Sequence, residues 1–259
     1  MMGKKRGLMF LSFIVLIAFL PVTVTAQDTG QKDGLDFYVG LYGWMPNIYG
    51  ETAVDTDFKI DLDDILDNLQ FMVMAIAGVN KGKWGASVDV IYLDLEADKN
   101  QTANLLDAIP VNYFTDVELN AWVVTPTVSY NVLEKDKFKL NLVAGARYLY
   151  LDLDLKVDID GVRDKELSKS GSDSGHVWDG IVGVRGEVTL NDKWYMPYYA
   201  DIGTGDSDAT YNLYGGFGYR FNRVDLVAGW RYLRWNFDDN TALKNLWING
   251  PLVGVKIRF

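Results

Sequence analysis

The sequence has 259 residues, of which 49% are hydrophobic and 23% charged, and this composition is typical of a folded chain with one large or two small domains. It contains no cysteine and one histidine, which excludes disulfides, thiolate metal sites and the multi-histidine sites of most zinc enzymes. The formal net charge of −10 disfavours nucleic acid as a partner, because the phosphate backbone would be repelled.

The first residues have the layout of a secretory signal peptide. The basic segment Lys4–Arg6 precedes an apolar run over Leu8–Leu20, a break at Pro21 and small residues up to Ala26. An uncleaved anchor helix is the alternative, but the run is shorter than the ~20 residues that a membrane-spanning helix needs. We therefore expect an exported protein. The expected organisation is a signal peptide over 1–26, a short N-terminal periplasmic segment over 27–35 and a β-barrel over 36–259.

Side-chain polarity alternates with a period of two along most of the remaining chain. From Asp208 to Phe221, one face carries mainly apolar and aromatic side chains, and the other carries polar residues and glycine, which is strand periodicity. A soluble sandwich also alternates, but its strands are about 5–6 residues long, whereas these segments are long enough to cross a bilayer at a tilt. The expected strands are Asp36–Pro46, Gln70–Asn80, Lys83–Ala97, Phe114–Val132, Phe138–Asp158, His176–Leu190, Lys193–Gly203, Asp208–Phe221, Val224–Asp238 and Trp247–Phe259.

The connections between these segments alternate in length, as in outer-membrane barrels with short periplasmic turns and longer outer loops. The short ones are Asn80–Lys83, Leu133–Lys137, Asn191–Lys193 and Phe221–Arg223; the long ones are Asn47–Leu69, Asp98–Tyr113, Ile159–Gly175 and Asp239–Leu246, and Thr204–Ser207 is intermediate. The predicted fold is all-β: a transmembrane, up-and-down, antiparallel barrel of about ten strands, with eight or twelve as alternatives. A further hairpin at Thr52–Ile60 would change the count.

Tryptophan and tyrosine fall near the two ends of the expected strands. Rings with one polar edge favour the level of the lipid headgroups, so we expect two aromatic girdles. A sandwich core is the alternative for these rings. The expected periplasmic girdle contains Trp84, Tyr130 and Trp194, and the outer girdle contains Tyr92, Trp122, Tyr148, Tyr150, Trp178, Tyr232 and Trp247.

The polarity pattern inverts beyond the outer girdle, where acidic residues take the outward positions and leucines the inward ones. This inversion predicts a barrel that projects beyond the membrane and has an apolar mouth. The segment Asp61–Leu69 has a helical apolar stripe, so we expect a short helix in the first extracellular loop that packs into the mouth as a plug. An apolar ligand such as a lipid is the alternative occupant. The expected stripe and mouth residues are Leu62, Ile65, Leu66, Leu69, Leu93, Leu95, Leu151, Leu153, Leu233 and Trp235.

Charged residues of both signs occupy the inward positions below this mouth. In a confined lumen they should form ion pairs, since an unpaired buried charge is costly. A structural network that fills the lumen and a narrow polar channel for small solutes both fit this pattern. The expected network contains Asp89, Lys139, Arg147, Arg185, Glu187, Asp201, Arg220, Asp225, Arg231, Lys256 and Arg258.

The sequence offers little chemistry, and we expect no enzymatic activity, no cofactor and no metal. His176, in a loop with Ser172, Asp173 and Ser174, is the one candidate general base for an outer-membrane hydrolase. The acidic residues around Asp61 could bind Mg²⁺ or Ca²⁺, but a solvated acidic surface is the favoured explanation. Phosphate-binding and dinucleotide-binding glycine motifs are absent from the sequence.

The end of the chain resembles a known export signal. Gly254–Phe259 alternates and finishes in phenylalanine, and in this it looks like the C-terminal signal of Gram-negative outer-membrane proteins that the barrel-assembly machinery recognises. The resemblance implies that Phe259 is the assembly signal and that the cell outer membrane is the location. It also implies two further partners, outer-membrane lipid and lipopolysaccharide.

Two internal segments carry a second resemblance. Gly215–Asn222 followed by Gly229–Leu233 is similar to a recurrent pattern in small porin-like or OmpA-like outer-membrane β-barrel proteins, and Asn191–Trp194 and Asn249–Pro251 also fit it. The similarity implies fold and location more than activity. The expected function is therefore porin-like, with passive passage of small polar solutes or ions through a narrow, partly plugged lumen. A non-conducting structural barrel and a barrel that binds an apolar ligand are the alternatives.

Overall fold

The computed structural model describes residues 34–52, 57–60, 62–67, 69–105, 109–160, 167–238 and 243–259, so the predicted signal peptide lies outside the described residues. These residues form twelve strands and one short helix. Within the described ranges, no helix is long and apolar enough to cross a membrane. The strands are β1 Asp36–Trp44, β2 Asn47–Thr52, β3 Asp57–Ile60, β4 Leu69–Lys81, β5 Trp84–Leu105, β6 Ile109–Lys135, β7 Phe138–Asp160, β8 Leu167–Thr189, β9 Trp194–Gly205, β10 Ala209–Arg220, β11 Val224–Asn236 and β12 Leu243–Arg258, and the helix is α1 Leu62–Asp67.

Ten of the strands close into one antiparallel barrel, which confirms the predicted fold and strand number. Each strand from β4 to β12 pairs with its neighbour in sequence, and β1 pairs with both β4 and β12. The closing ladder runs from Tyr38 opposite Arg258 to Trp44 opposite Leu252. Closure leaves the barrel wall without a free strand edge, which is the condition for a sheet to stand in lipid.

β2 continues the path of β1 after an interruption at Met45 and Pro46. Both strands pair with β12, and the amide of Met45 donates to the carbonyl of Pro251 across the break. Pro46 has no amide hydrogen, so the ladder is broken where it enters. The first strand was predicted to end at Pro46, but the chain continues as β2 and folds back as β3, which pairs with β2 outside the ten-stranded wall.

Four tight turns lie together at one end of the barrel, at the positions that the sequence predicts. The β4–β5 turn contains Gly82, whose φ of 56° lies in the left-handed region. The β6–β7 turn contains Asp136 with a φ of 43°. Two-residue hairpin turns need such left-handed angles because their twist then matches that of the strands, and glycine and aspartate tolerate the angle better than most residues.

At the other end, two predicted long loops are mostly strand. The stretches Asp98–Tyr113 and Ile159–Gly175 belong largely to the hairpins β5–β6 and β7–β8, with pairing as far as Leu105 opposite Ile109. The prediction of loops was wrong because polar residues interrupt the apolar alternation over most of the two stretches. Backbone hydrogen bonds between neighbouring strands do not need that alternation.

The connection between β1 and β4, expected as the first extracellular loop, is more structured than predicted, and its helix is shorter. The helix was expected over Asp61–Leu69, but α1 spans Leu62–Asp67, and Leu69 already begins β4, opposite Leu95. β2 and β3 form a hairpin ahead of the helix, at the place where a further hairpin was the open alternative. The helix therefore forms less than two turns.

The outward face of the barrel carries an apolar belt bounded by aromatic pairs. Trp84 stacks edge-on against Tyr130 near the tight turns, and Tyr92 packs against Trp122 farther along the same two strands. Eight residues separate the two pairs on each strand, or about 26 Å of strand at ~3.3 Å per residue. At a typical tilt of ~40° this length corresponds to about 20 Å of height, and exposed apolar side chains cover the surface between the two pairs, as on the apolar belt of a membrane barrel.

Candidate functional site

The outer half of the lumen is filled by an apolar core. Thirteen buried apolar residues form one cluster that draws on β1, β2, α1, β4 to β7, β11 and β12. Leu233 and Trp235 are completely buried in it, and Leu151 packs against it from a partly buried position. The cluster comprises Trp44, Ile48, Ile65, Met74, Ile91, Leu93, Leu95, Val123, Leu149, Leu233, Trp235, Leu246 and Leu252.

Among the side chains of α1 that the structure describes, one belongs to this core, so the predicted stripe is not buried as a whole. Ile65 is 3% exposed and belongs to the core, whereas Leu66 is 54% exposed and does not. The prediction for Leu66 was wrong because adjacent residues on a helix lie about 100° apart, so a helix this short places only one of the two inward. The side chains of Leu62, Leu69 and Leu153 lie outside the described residues.

A fully buried ion pair lies among the polar side chains of the lumen. Arg147 from β7 donates to Asp201 of β9 at 2.5 Å and to the hydroxyl of Thr210 at 2.8 Å. Nearby on β8, buried Asp179 accepts hydrogen bonds from the backbone amide and hydroxyl of Ser207. These contacts connect the four strands β7 to β10 and the β9–β10 turn from the inside.

A second cluster joins β1, β5 and β11 across the lumen. Arg231 pairs with Asp89 at 2.8 Å, and the hydroxyl of Tyr42 donates to the same carboxylate at 2.6 Å. Arg231 also donates to Asn212 and lies 5.2 Å from the ring centroid of Trp44, so the guanidinium has both polar and aromatic partners.

A third cluster lies closer to the tight turns. Arg220 pairs with Glu187 at 2.5 Å and lies over the ring of Tyr195 at 4.1 Å. Asp225 accepts from the hydroxyl of Tyr195 at 3.2 Å and pairs with Arg258 at 2.8 Å. The shared tyrosine connects the two ion pairs into one network.

The three remaining predicted residues have weaker partners or none of opposite charge. Arg185 donates to the hydroxyls of two serines, and Lys256 lies 5.0 Å from the centroid of Tyr38. Lys139 is half exposed and lies 3.8 Å from Glu134. The structure thus places all eleven predicted polar residues in the lumen and gives eight of them an ion-pair partner of the same set.

A cavity of about 480 Å³ occupies the half of the lumen near the tight turns. It is lined by the polar residues of the second cluster, by all the residues of the third and by Lys139, Arg185 and Lys256, whereas Trp44, Arg147 and Asp201 are not part of the lining. Two close approaches of glycine to tyrosine rings shape its wall. A Cβ at Gly78 would lie 2.5 Å from the ring of Tyr38, so only glycine leaves room for that ring. A Cβ at Gly218 would meet the ring of Tyr195 in the same way.

Several lumen residues were missed in the sequence. The tyrosines that hold the clusters together were not singled out, nor were the serine hydroxyls at Arg185. The alternation does contain the signal for one of them, because Tyr195 shares a face with Asp201. For Tyr42 the same parity argument applies through Trp44 and Tyr38 on β1, all of which point inward.

The candidate catalytic and metal residues gain no support from the described geometry. His176 is exposed on β8 and has no hydrogen-bond partner in the described part of the chain. The side chains of Ser172, Asp173 and Ser174 lie outside the described residues. Among the residues that the structure describes, no group of three histidine, aspartate or glutamate side chains could hold a metal ion.

Comparison with known proteins identifies the fold. No protein-family model and no curated protein matches the sequence. Among solved structures, the outer membrane protease OmpT from Escherichia coli matches with a TM-score of 0.53 and 10% identity over 90% of this chain and 99% of its own. The translocator domain of the autotransporter NalP from Neisseria meningitidis matches with a TM-score of 0.44 and 15% identity over 90% of each chain. The chain therefore has the fold of a bacterial outer-membrane β-barrel.

Proposed function

We propose that the protein resides in the outer membrane with its tight turns in the periplasm, in contact with lipid and, on the outer side, with lipopolysaccharide. The closed wall and the outward apolar belt between two aromatic girdles support this placement, because such a surface is stable only in lipid. The protein in cell fractions should resist extraction by urea and remain with the outer membrane. Recovery as a water-soluble monomer would contradict the proposal.

We further propose a porin-like barrel that is closed at rest and passes small polar solutes only when the apolar core opens. The observation that carries this proposal is the division of the lumen. A polar cavity of about 480 Å³ fills the half near the tight turns, and buried apolar side chains fill the outer half. Water and ions avoid such a core, so conduction requires its displacement.

Of the elements that contribute to this core, α1 needs the least free energy to leave it. It contributes Ile65 from a loop segment, whereas most other core residues stand on paired strands. Burying one isoleucine side chain contributes about 1.5–3 kcal/mol, which is small enough for reversible opening. Ile65→Asp should expel the helix, because a carboxylate in this core would have no partner.

The two neighbouring residues of α1 provide a matched experiment. We expect Ile65→Asp to lower the thermal unfolding temperature and to raise the frequency of opening events in planar bilayers. Leu66→Asp makes the same chemical change at an exposed position and should alter neither quantity. If Ile65→Asp is as stable and as silent as the parent protein, the helix does not close the lumen.

A non-conducting structural barrel is the second candidate function. It is favoured because most core side chains come from strands and not from α1. Leu233 and Trp235 on β11 and the inward leucines of β5 would remain in the lumen after the helix has left. An Ile65→Asp variant that is destabilised but still silent would indicate this second function. The same packing supports protein side chains, and not an apolar ligand, as the occupant of the mouth.

We also infer that the barrel is not a hydrolase. The support is the exposure of His176 and its lack of a partner within the described residues. Loss of a measurable peptidase or esterase activity in His176→Ala would contradict this inference.

A further inference from the structure

We propose that the cavity near the tight turns binds a small oxyanion, a phosphate or phosphate monoester, through Arg185 and Lys256. The first observation is the charge of the cavity wall. Seven basic and three acidic side chains line it, although the whole chain has a net charge of −10. The cavity is therefore a positive region inside an acidic protein, and a confined positive region attracts anions.

The acidic side chains of the wall are already neutralised. Each of the three carboxylates forms an ion pair with an arginine of the same wall: Asp89 with Arg231 at 2.8 Å, Glu187 with Arg220 at 2.5 Å, and Asp225 with Arg258 at 2.8 Å. Four basic side chains remain. Lys83 and Lys139 are exposed or half-exposed, and Lys139 lies near Glu134. Arg185 and Lys256 form no ion pair in the described part of the chain, so their charges are available to a ligand.

Arg185 is held in place by neutral groups. One terminal nitrogen donates to the hydroxyl of Ser87 at 2.8 Å, and the other donates to the hydroxyl of Ser129 at 2.6 Å. A Cβ at Gly85 would lie 3.1 Å from this guanidinium, so glycine leaves the space that the side chain occupies. Hydroxyls fix the orientation of the guanidinium without cancelling its charge, and a guanidinium retains further N–H donors.

Lys256 is held in place in a comparable way. Its ammonium lies 5.0 Å from the ring centroid of Tyr38, and that ring fits against Gly78. An aromatic face attracts the ammonium but leaves it charged. The hydroxyl of Thr125 also lines the cavity, and it is buried without a hydrogen-bond partner among the described residues, so one neutral donor is free as well.

These groups favour one chemical class of ligand. Arginine presents paired N–H donors that match the oxygens of a phosphate, and a lysine ammonium adds a point charge. The volume of about 480 Å³ suits a small molecule and excludes a polymer. Entry from the side of the tight turns places the ligand in the periplasm if the proposed orientation holds, but binding does not depend on conduction.

The experiment measures binding to the full folded chain in detergent micelles. Isothermal titration at constant ionic strength uses inorganic phosphate in one arm and glycerol 3-phosphate in the other, with chloride as the reference anion. We expect at least one phosphate probe to bind more tightly than chloride. Arg185→Gln and Lys256→Gln should each weaken that binding about tenfold or more, since each removes a charge-assisted contact.

Two controls keep the test specific. Arg223→Gln and Lys137→Gln remove the same charges from exposed turns outside the cavity lining and should leave affinity unchanged. Arg185→Lys retains the charge and should retain part of the binding if the first variant fails to fold. Tighter binding of glycerol 3-phosphate would identify a phosphate monoester, tighter binding of inorganic phosphate would identify free phosphate, and equal binding would support recognition of the phosphate group that the two share. Binding no tighter than that of chloride, or equal binding in the cavity and turn variants, would overturn the proposal.

Discussion

The ion pair between Arg147 and Asp201 is the most buried charge in the lumen. Both side chains have no exposed area, and the arginine has the hydroxyl of Thr210 as an additional partner. Removing two charges from water costs several kcal/mol per ion, and their attraction compensates only while both are present. The pair therefore specifies how β7 and β9 face each other more than it adds to stability.

Loss of one partner should show this dependence. Asp201→Asn is expected to lower the free energy of unfolding by about 3–5 kcal/mol, because Arg147 would keep an uncompensated buried charge. Urea titration in detergent measures the change. The double variant Arg147→Met/Asp201→Leu should recover most of the loss, and Asp208→Asn, an exposed aspartate, should change stability by less than about 0.5 kcal/mol. A single variant as stable as the double one would contradict this explanation.

At the scale of elements, the tight hairpin turns constrain the local backbone conformation of the barrel. The β4–β5 turn places Gly82 at a φ of 56°, with no heavy atom near the position of a Cβ. The β6–β7 turn accepts Asp136 at a similar angle. The constraint at these turns is therefore backbone conformation and not crowding.

Substitutions in the two turns should differ in their effect on the stability of the barrel. Gly82→Ala should destabilise the barrel by about 1 kcal/mol, because alanine resists a positive φ. Asp136→Gly should be nearly neutral, since glycine adopts the angle freely but gains entropy in the unfolded chain. The urea midpoint measures both changes. Equal destabilisation by the two substitutions would mean that side-chain contacts, and not φ, control the turns.

Alternation predicted the ten strands of the barrel wall, but it assigned β2 to a long loop. It failed for Asp98–Tyr113 and Ile159–Gly175, where polar residues interrupt the alternation over most of the stretch and the pairing comes from the neighbouring strand. It also failed for Leu66, because the rotation of α1 about its axis depends on where β3 and β4 hold its ends. The pairing of the polar stretches and the rotation of α1 both depend on other segments of the chain, so neither can be predicted from one segment alone.

The same division applies to the lumen. Parity placed residues such as Arg147, Asp201 and Lys256 inside the barrel, since an inward position is a local property of a strand. Parity does not predict which of these inward residues contact each other. Arg147 meets Asp201 across 54 positions of sequence, and Arg231 meets Tyr42 across 189. These contacts depend on the stagger of the ten strands in the closed barrel. The sequence of a single strand does not determine that stagger.

At the scale of the whole molecule, closure depends on the last strand reaching the first. The backbone amide of Phe259 donates to the carbonyl of Phe37, and its side chain is 66% exposed on the outer surface. The side chain therefore adds little to the folded barrel. It is free to act earlier, during insertion, as its resemblance to an export signal implies.

Replacement of this residue should separate assembly from stability. Phe259→Ser is expected to reduce several-fold the heat-modifiable, folded barrel in the outer-membrane fraction of cells, while refolding in detergent is unchanged. Phe221→Ser alters another exposed phenylalanine near the tight turns and should affect neither measurement. If Phe259→Ser and Phe221→Ser assemble equally well, the terminal ring is not read during assembly.

The strands differ greatly in length, and this makes the molecule tall on one side. β6 has 27 residues and β10 has 12, although both reach the tight turns. The excess corresponds to about 40 Å of height at typical strand rise and tilt. In the proposed orientation, the outer ends of the paired strands β5 to β8 stand far above the lipid while the β9–β10 connection stays close to it. A phage, an antibody or a protease arriving from outside would meet those strand ends first.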